Sequence, residues 1–255
     1  MDSVKILTGM ALLYYGGDFL VSGSVRFARY LKVSSFVIGA TVLAFGTSAP
    51  ELAASILAAL DDAPELAMGN VIGSNIANIG LVLGLVCLIA PITIASSRFK
   101  REYPPFLLSA LLILFLAWDL KIDDLEGIIM VGLLAIYIWR SFNYKEDLKT
   151  QPEEEIGLLA GKSPTFQVLL IVIGLIGLVS GAKLLVSGGV SIARTLGIGE
   201  WFIGITVVAI GTSLPEIVSS IMAARRGHGE MAIGNIFGSN IFNILMVLGL
   251  SLIHI

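Results

Sequence analysis

Eight apolar stretches follow one another along the chain, separated by short polar breaks. They run from about Ile6 to Ser24, Ser35 to Leu60, Leu66 to Ile94, Pro104 to Trp118, Leu125 to Trp139, Thr165 to Val190, Trp201 to Ala224, and Met231 to the end. A helix needs roughly 20 apolar residues to cross the hydrocarbon core of a bilayer, so the chain has room for about eight spans. Nothing alternates with the period of two that a barrel strand requires, and an open sheet edge cannot face lipid. The fold class is therefore all-α, a polytopic transmembrane helix bundle. Composition agrees: 56% of the 255 residues are hydrophobic and only 14% charged, with a mean hydropathy of +0.92, outside the range of a soluble domain. The net charge of -3 gives no nucleic-acid surface, and two histidines are too few for a His-based metal site. Cys87, the lone cysteine, lies in an apolar run and reads as a small buried hydrophobe. No cleavage site follows Met1–Lys5, so the first span is expected to be retained.

The chain also repeats itself without gaps. Gly46, Thr47, Ser48, Pro50 and Glu51 recur as Gly211, Thr212, Ser213, Pro215 and Glu216, an offset of 165. The same offset carries Gly69, Asn70, Gly73, Ser74, Asn75 and Asn78 onto Gly234, Asn235, Gly238, Ser239, Asn240 and Asn243, and Ser22 and Gly23 onto Ser187 and Gly188. The one long polar interval, residues 140–163, carries Glu153, Glu154 and Glu155 and divides a first repeat (residues 1–139, motif 44–85) from a second (residues 164–255, motif 209–250). Five spans separate equivalent positions. An odd number means that the second copy enters the membrane from the opposite side, the inverted plan of many secondary transporters, whose sites lie at the midplane where the copies meet.

Loop charges suggest an orientation. Arg26, Arg29 and Lys32 follow span one, Arg98, Lys100 and Arg101 follow span three, and Arg225 and Arg226 follow span seven, while Asp61, Asp62, Glu65, Asp119, Asp123, Asp124 and Glu126 gather on the other side. The positive-inside rule then puts the N-terminus outside and the interval 140–163 in the cytoplasm, with Arg194 as the exception. A plasma (inner) membrane is the expected setting.

Glu51 and Glu216 sit within apolar spans with no Lys or Arg nearby in their own helices. An ionisable group there costs several kcal/mol unless a partner or water reaches it, which marks it as a functional candidate; the bland alternative is a protonated Glu bonded to a neighbouring helix. Thr47 lies one turn before Glu51 and Ser48 three residues before it, so hydroxyls and carboxylate share a face. Pro50 and Pro215 lack an N–H, so carbonyls around Ala44 to Gly46 and Ala209 to Gly211 are expected to lose helical partners and become available to a cation. An ordinary proline kink relieved by the Thr or Ser hydroxyl is the alternative. Asn70, Ser74 and Asn78 follow at four-residue intervals, as do Asn235, Ser239 and Asn243, stacking amides and hydroxyls along one face. Gly69, Gly73 and Ala77 form a small-residue row suited to close helix packing. Asn75 and Asn240 point elsewhere and are expected to tie down neighbouring backbone.

Two carboxylates, two carboxamides, hydroxyls and carbonyls make a set of hard oxygen ligands with no thiol or imidazole. Ca2+ prefers six to eight oxygens at about 2.3–2.6 Å, whereas Mg2+ holds its water and Zn2+ prefers N or S. Na+ has nearly the same radius as Ca2+, so one cage can take either.

The paired blocks Gly46-Thr47-Ser48-Ala49-Pro50-Glu51 with Gly69 to Asn78, and Gly211 to Glu216 with Gly234 to Asn243, resemble the two alpha repeats of the sodium/calcium exchangers. The resemblance implies ten helices in two inverted halves and electrogenic antiport in which Na+ entry drives Ca2+ extrusion. By motif position it implies a ligand set of Thr47, Ser48, Glu51, Ser74 and Asn78 from the first repeat and Thr212, Ser213, Glu216, Ser239 and Asn243 from the second, with carbonyls from Ala44 and Ala209. Asn243 stands where family members often carry Asp, which argues against a K+ requirement and leaves two formal charges. Spans one and six would slide across the core to open the site to either side in turn.

The family adds two helices after span eight, whereas this sequence ends at Ile255. Its final Leu-Ser-Leu-Ile-His-Ile can be encoded by a run resembling a transposon end used in sequencing libraries, so a longer natural protein is expected. A cation/proton antiporter is the alternative within transport, and a membrane scaffold or channel subunit the alternative outside it. No Ser-His-Asp set, Cys-His pair or HExxH motif points to an enzyme. Gly157 to Ser163 is one residue short of a phosphate loop and follows no strand, so transport is expected to be driven by gradients without ATP or cofactor. The sequence leaves the oligomeric state open.

Overall fold

The structure, a computed structural model, describes residues 2–61, 63–116, 124–144, 163–203, 206–207 and 209–252. Most of the interval 140–163, with its acidic run and most of the Gly157–Ser163 stretch, lies outside the described residues, as do Asp62, Asp119, Asp123 and residues 253–255. Every regular element among the described residues is a helix.

Two long helices lead the two copies, Asp2–Leu31 and Pro164–Thr195. Asp2 in the first turn and Arg29 in the last complement the dipole of the former, and the Ser163 hydroxyl caps the latter by accepting from the Phe166 N–H. Each ends at a left-handed residue, Lys32 (φ 56°) and Gly197 (φ 75°), which are mates under the repeat offset. The pair is joined by glycines every seventh residue, Gly9, Gly16 and Gly23 against Gly174, Gly181 and Gly188. A Cβ on Gly16 would lie 2.9 Å from the Gly174 carbonyl oxygen, and one on Gly9 2.8 Å from that of Gly181, so the backbones touch. Gly23 meets Gln167 and Gly188 meets Asp2, which fixes the pair as antiparallel. The two copies therefore run in opposite directions.

The second apolar stretch breaks into Ser35–Thr47 and Ala49–Leu60, bent by 45°. The related stretch of the second copy has Glu200–Ile203, Ala209–Thr212 and Leu214–Arg225. The third helix of each copy, Pro64–Ala77 and Gly229–Phe242, runs on through a π-helical stretch, Asn78–Leu83 and Asn243–Leu248. Gly234 and Gly238 let the second-copy helix press onto Phe36–Ala44: an added Cβ would fall 2.4 Å from Phe36 O and 2.5 Å from Ala40 O. No described atom lies within 4 Å of the same position on Gly69 or Gly73.

Ser96–Leu116 and Asp124–Asn143 then cover the second-copy helix, Phe106 stacking on Phe237 (centroids 4.6 Å apart) and Gly249 packing on Gly127 and Met130. The former begins eight residues before the apolar run at Pro104, with Pro104 and Pro105 inside it. Arg98 and Lys100 are thus helical, not loop residues, and Arg98 is buried against Glu230 and the Phe36 ring. Asp124–Asn143 extends into the first turn of the interval read as a linker.

Of the eight expected spans, five are, among the described residues, unbroken helices long and apolar enough to cross a membrane, and the bent pair makes a sixth. Ser96–Leu116 falls short because Arg98, Lys100, Arg101 and Glu102 crowd its start, and the stretch from Trp201 contains residues outside the description.

Candidate cation site at the helix breaks

Ser48 and Ser213 take almost the same backbone angles, φ -83°, ψ 1° and φ -85°, ψ 1°, and each interrupts its span. Pro50 and Pro215 follow in the first turn of the new half-helix, where a missing N–H is no loss. Glu51 and Glu216 fall in that same turn, beside unsatisfied N–H groups and the positive end of the helix dipole. On the other side of the break lies the short helix Ala44–Thr47, and Gly46 stands four residues before a proline that has no N–H to donate.

The expected freeing of the Ala44 carbonyl needs correction. Ser48 N donates to Ala44 O at 3.0 Å, and Thr47 Oγ1 lies 3.5 Å from it. The break falls at Ser48 itself, so the bond four residues back survives, and the Thr47 hydroxyl donates to the same oxygen. Ala209 opens the short helix Ala209–Thr212 of the second copy.

Both carboxylates are deeply buried, Glu51 and Glu216 each 2% exposed. Among the described residues neither pairs with Lys or Arg. The Thr47 hydroxyl of the first copy reaches into the second at the acidic half-helix's neighbour, Gly229–Phe242. Thr47 Oγ1 lies 3.4 Å from Asn235 Oδ1 and 3.5 Å from Ser239 Oγ. Ser48, Ser74, Asn78, Ser213, Ser239 and Asn243 are buried as well, and Thr212 is half-buried. Asn78 and Asn243 each open a π-helical stretch, a local widening frequent at functional sites.

Four buried oxygens of this group have no hydrogen-bond partner among the described residues: Ser48 Oγ, Glu51 Oε2, Glu216 Oε2 and Asn243 Oδ1. Asn243 is held in that orientation because its Nδ2 donates to Asn75 Oδ1 at 3.1 Å. Asn75 Nδ2 donates in turn to Asn240 O at 3.3 Å, and Asn240 Nδ2 to Ile236 O at 2.7 Å. The expectation that Asn75 and Asn240 secure backbone is met, and Asn75 also orients Asn243.

Sequence reasoning missed one part of the arrangement. Asn70 Nδ2 donates to Glu51 O (3.0 Å) and to Ser55 Oγ (2.8 Å), clamping the acidic half-helix to its neighbour. Asn235 does the same in the second copy, donating to Ser220 Oγ at 3.0 Å and Ser219 Oγ at 3.1 Å. The signal was available, since Ser55 and Ser220 are mates under the offset of 165.

A helical membrane bundle with broken helices in two copies of opposite direction has the architecture of a secondary transporter. The sequence pattern of the sodium/calcium exchanger protein family matches residues 4–143 and 166–254. The sodium/calcium exchanger MaX1 of Methanosarcina acetivorans is 34% identical over 96% of this chain and 81% of its own length. The inner membrane protein YrbG of Escherichia coli is 34% identical over 98% and 79%. The solved structure of the sodium/calcium exchanger from Methanococcus jannaschii is 40% identical and superposes with a TM-score of 0.86, covering 100% of this chain and 82% of that one. The chain belongs to the sodium/calcium exchanger family. It is a multi-pass membrane protein and a cation/calcium antiporter, not an enzyme.

Proposed function

We propose that the protein exchanges Na+ for Ca2+ across the plasma membrane by alternating access. The cargo ions are held by Thr47, Ser48, Glu51, Ser74 and Asn78 with Thr212, Ser213, Glu216, Ser239 and Asn243, and by the carbonyls of Ala44 and Ala209. The observation that carries this reading is that four buried oxygens of this set, Ser48 Oγ, Glu51 Oε2, Glu216 Oε2 and Asn243 Oδ1, have no hydrogen-bond partner among the described residues. Buried acceptors without donors are strongly disfavoured, and a desolvated cation satisfies all four at once. Two carboxylates neutralise one Ca2+, while Na+ fits the same hard-oxygen cage.

The first repeat (1–139) and the second (164–255) each contribute one carboxylate and one broken span, and residues 140–163 link them. The positive-inside distribution supports an outside N-terminus and a cytoplasmic linker, and the E. coli relative's inner-membrane location supports the bacterial or archaeal plasma membrane. The ions are cargo, so neither a resident cofactor nor ATP is required.

The test is radiolabelled Ca2+ uptake into proteoliposomes carrying the purified protein. Uptake driven by an outward Na+ gradient and lost in Glu216→Gln supports the proposal. Uptake that follows a pH gradient and ignores Na+ replaces it with proton antiport, and flux without any counter-ion replaces it with a channel.

A further inference from the structure

Arg226, one residue beyond the acidic half-helix Leu214–Arg225, donates to Asp18 and Ser22 on the first copy's leading helix. Asp18 and Ser22 are four residues apart and so share a helix face. The offset of 165 carries Arg226 back to Asp61, Asp18 forward to Lys183, and Ser22 forward to Ser187. The contact thus has a complete mate in the sequence, with both charges reversed.

That mate is not made in this structure. Asp61 and Lys183 are exposed and not paired with each other, and Ser187 Oγ lies 3.5 Å from Lys5 Nζ instead. The helices show the same asymmetry. Asp2–Leu31 packs along Leu214–Arg225, with Gly17 so close that an added Cβ would lie 2.9 Å from Val218 Cγ1. Pro164–Thr195 makes no comparable contact with Ala49–Leu60.

In an inverted-repeat transporter one copy rocks against the other around the fixed site, and the pseudo-two-fold relation of the copies generates the oppositely open state by giving each copy the other's conformation. A contact between the first copy's leading helix and the second copy's half-helix then reappears as the contact between their mates. We propose that Asp61 and Lys183 form, in the oppositely open state, the ion pair that Arg226 and Asp18 form here, so that each transport half-cycle breaks one latch and closes the other. The proposal rests on the antiport reading above. The chemistry survives the reversal of sign. The long side chain moves from the loop to the helix, so an Asp and a Lys span about the gap that an Arg and an Asp span. A hydroxyl both accepts and donates, so Ser187 can donate to the Asp61 carboxylate where Ser22 accepts from Arg226. None of these residues belongs to the cation site. They position the leading helices, and their effect falls on the rate of switching.

The test uses the protein in proteoliposomes, with Cys87→Ser as background. Asp61→Lys and Lys183→Asp are each expected to slow Na+-driven Ca2+ exchange a few-fold, with Ca2+ binding by calorimetry unchanged, and the double charge swap to restore the rate. A cysteine pair at positions 61 and 183 is expected to crosslink with a short bifunctional maleimide, as is a pair at 18 and 226, and either crosslink to stop exchange. Crosslinking at 18 and 226 alone in an exchanging protein, or a double swap as slow as the singles, overturns the proposal. The crosslinks report the swap without transport. Crosslinking at both pairs, in a protein that exchanges nothing even before crosslinking, therefore overturns the antiport reading and leaves the latch supported.

Discussion

Thr47 of the first copy and Ser239 of the second meet with their hydroxyl oxygens 3.5 Å apart, joining two oppositely directed copies at one point. Because Thr47 also reaches Asn235, it acts as a cross-copy tie as well as an oxygen donor. Groups that share partners couple. Thr47→Ala and Ser239→Ala are each expected to weaken Ca2+ binding by roughly tenfold, about 1.4 kcal/mol. Calorimetry on the double variant should show less than the sum of the two losses; strict additivity would mean that the hydroxyls act independently.

Glu51→Gln and Glu216→Gln test the carboxylates themselves. Each removes a buried charge that meets no Lys or Arg among the described residues. Replacing such a charge with a neutral isostere relieves its desolvation cost, so the ion-free protein should melt at the same temperature or higher. The rise in melting temperature on adding Ca2+, which follows from binding to the folded state alone, should vanish in both. Thermal unfolding in detergent measures both effects, and a Ca2+ shift that persists in either variant removes that glutamate from the site.

The helical class, the inverted copies and the two glutamates were legible because each leaves a trace in the sequence: apolar length, a constant offset, a charge amid hydrophobes. What was not legible depends on partners distant in the chain. The side-chain amide of Asn243 could point either way until Asn75 was found beside it. Arg98 looked like a loop charge because its burial is set by Glu230, 132 residues on. The bond to Ala44 O survives for a local reason: proline marks where a helix is interrupted, but the interruption sits two residues earlier, at Ser48. The π-helical stretches at Asn78 and Asn243 have no composition of their own and appear only once packing is known.

Mates in sequence need not be mates in packing, and the glycine rows show it. An added methyl on Gly238 would lie 2.5 Å from Ala40 O, whereas one on Gly73 meets no described atom within 4 Å. Gly238→Ala is expected to destabilise the protein by about 1–3 kcal/mol through overpacking against backbone. Gly73→Ala is expected to cost nothing and to gain slightly from helix propensity. Equal losses of melting temperature in the two would show that the Gly73 face is also closely packed.

Asn75 lies outside the expected ligand set, yet its loss should be felt at the ion. Its Oδ1 holds the Asn243 amide so that Asn243 Oδ1 stays unpartnered, and its own Nδ2 is anchored on Asn240 O. Asn75→Ala frees the Asn243 side chain to rotate and present its NH2 group, which repels a cation. Asn75→Asp keeps the acceptor for Asn243 Nδ2 and gives up only the donor to Asn240 O. Ca2+ affinity is therefore expected to fall about tenfold in the alanine variant, the value of one hydrogen bond to a charged or buried group, and to be largely retained in the aspartate variant. A general packing role would make both substitutions equally harmful, so calorimetric affinities for the pair separate orientation of the ligand from support of the helix.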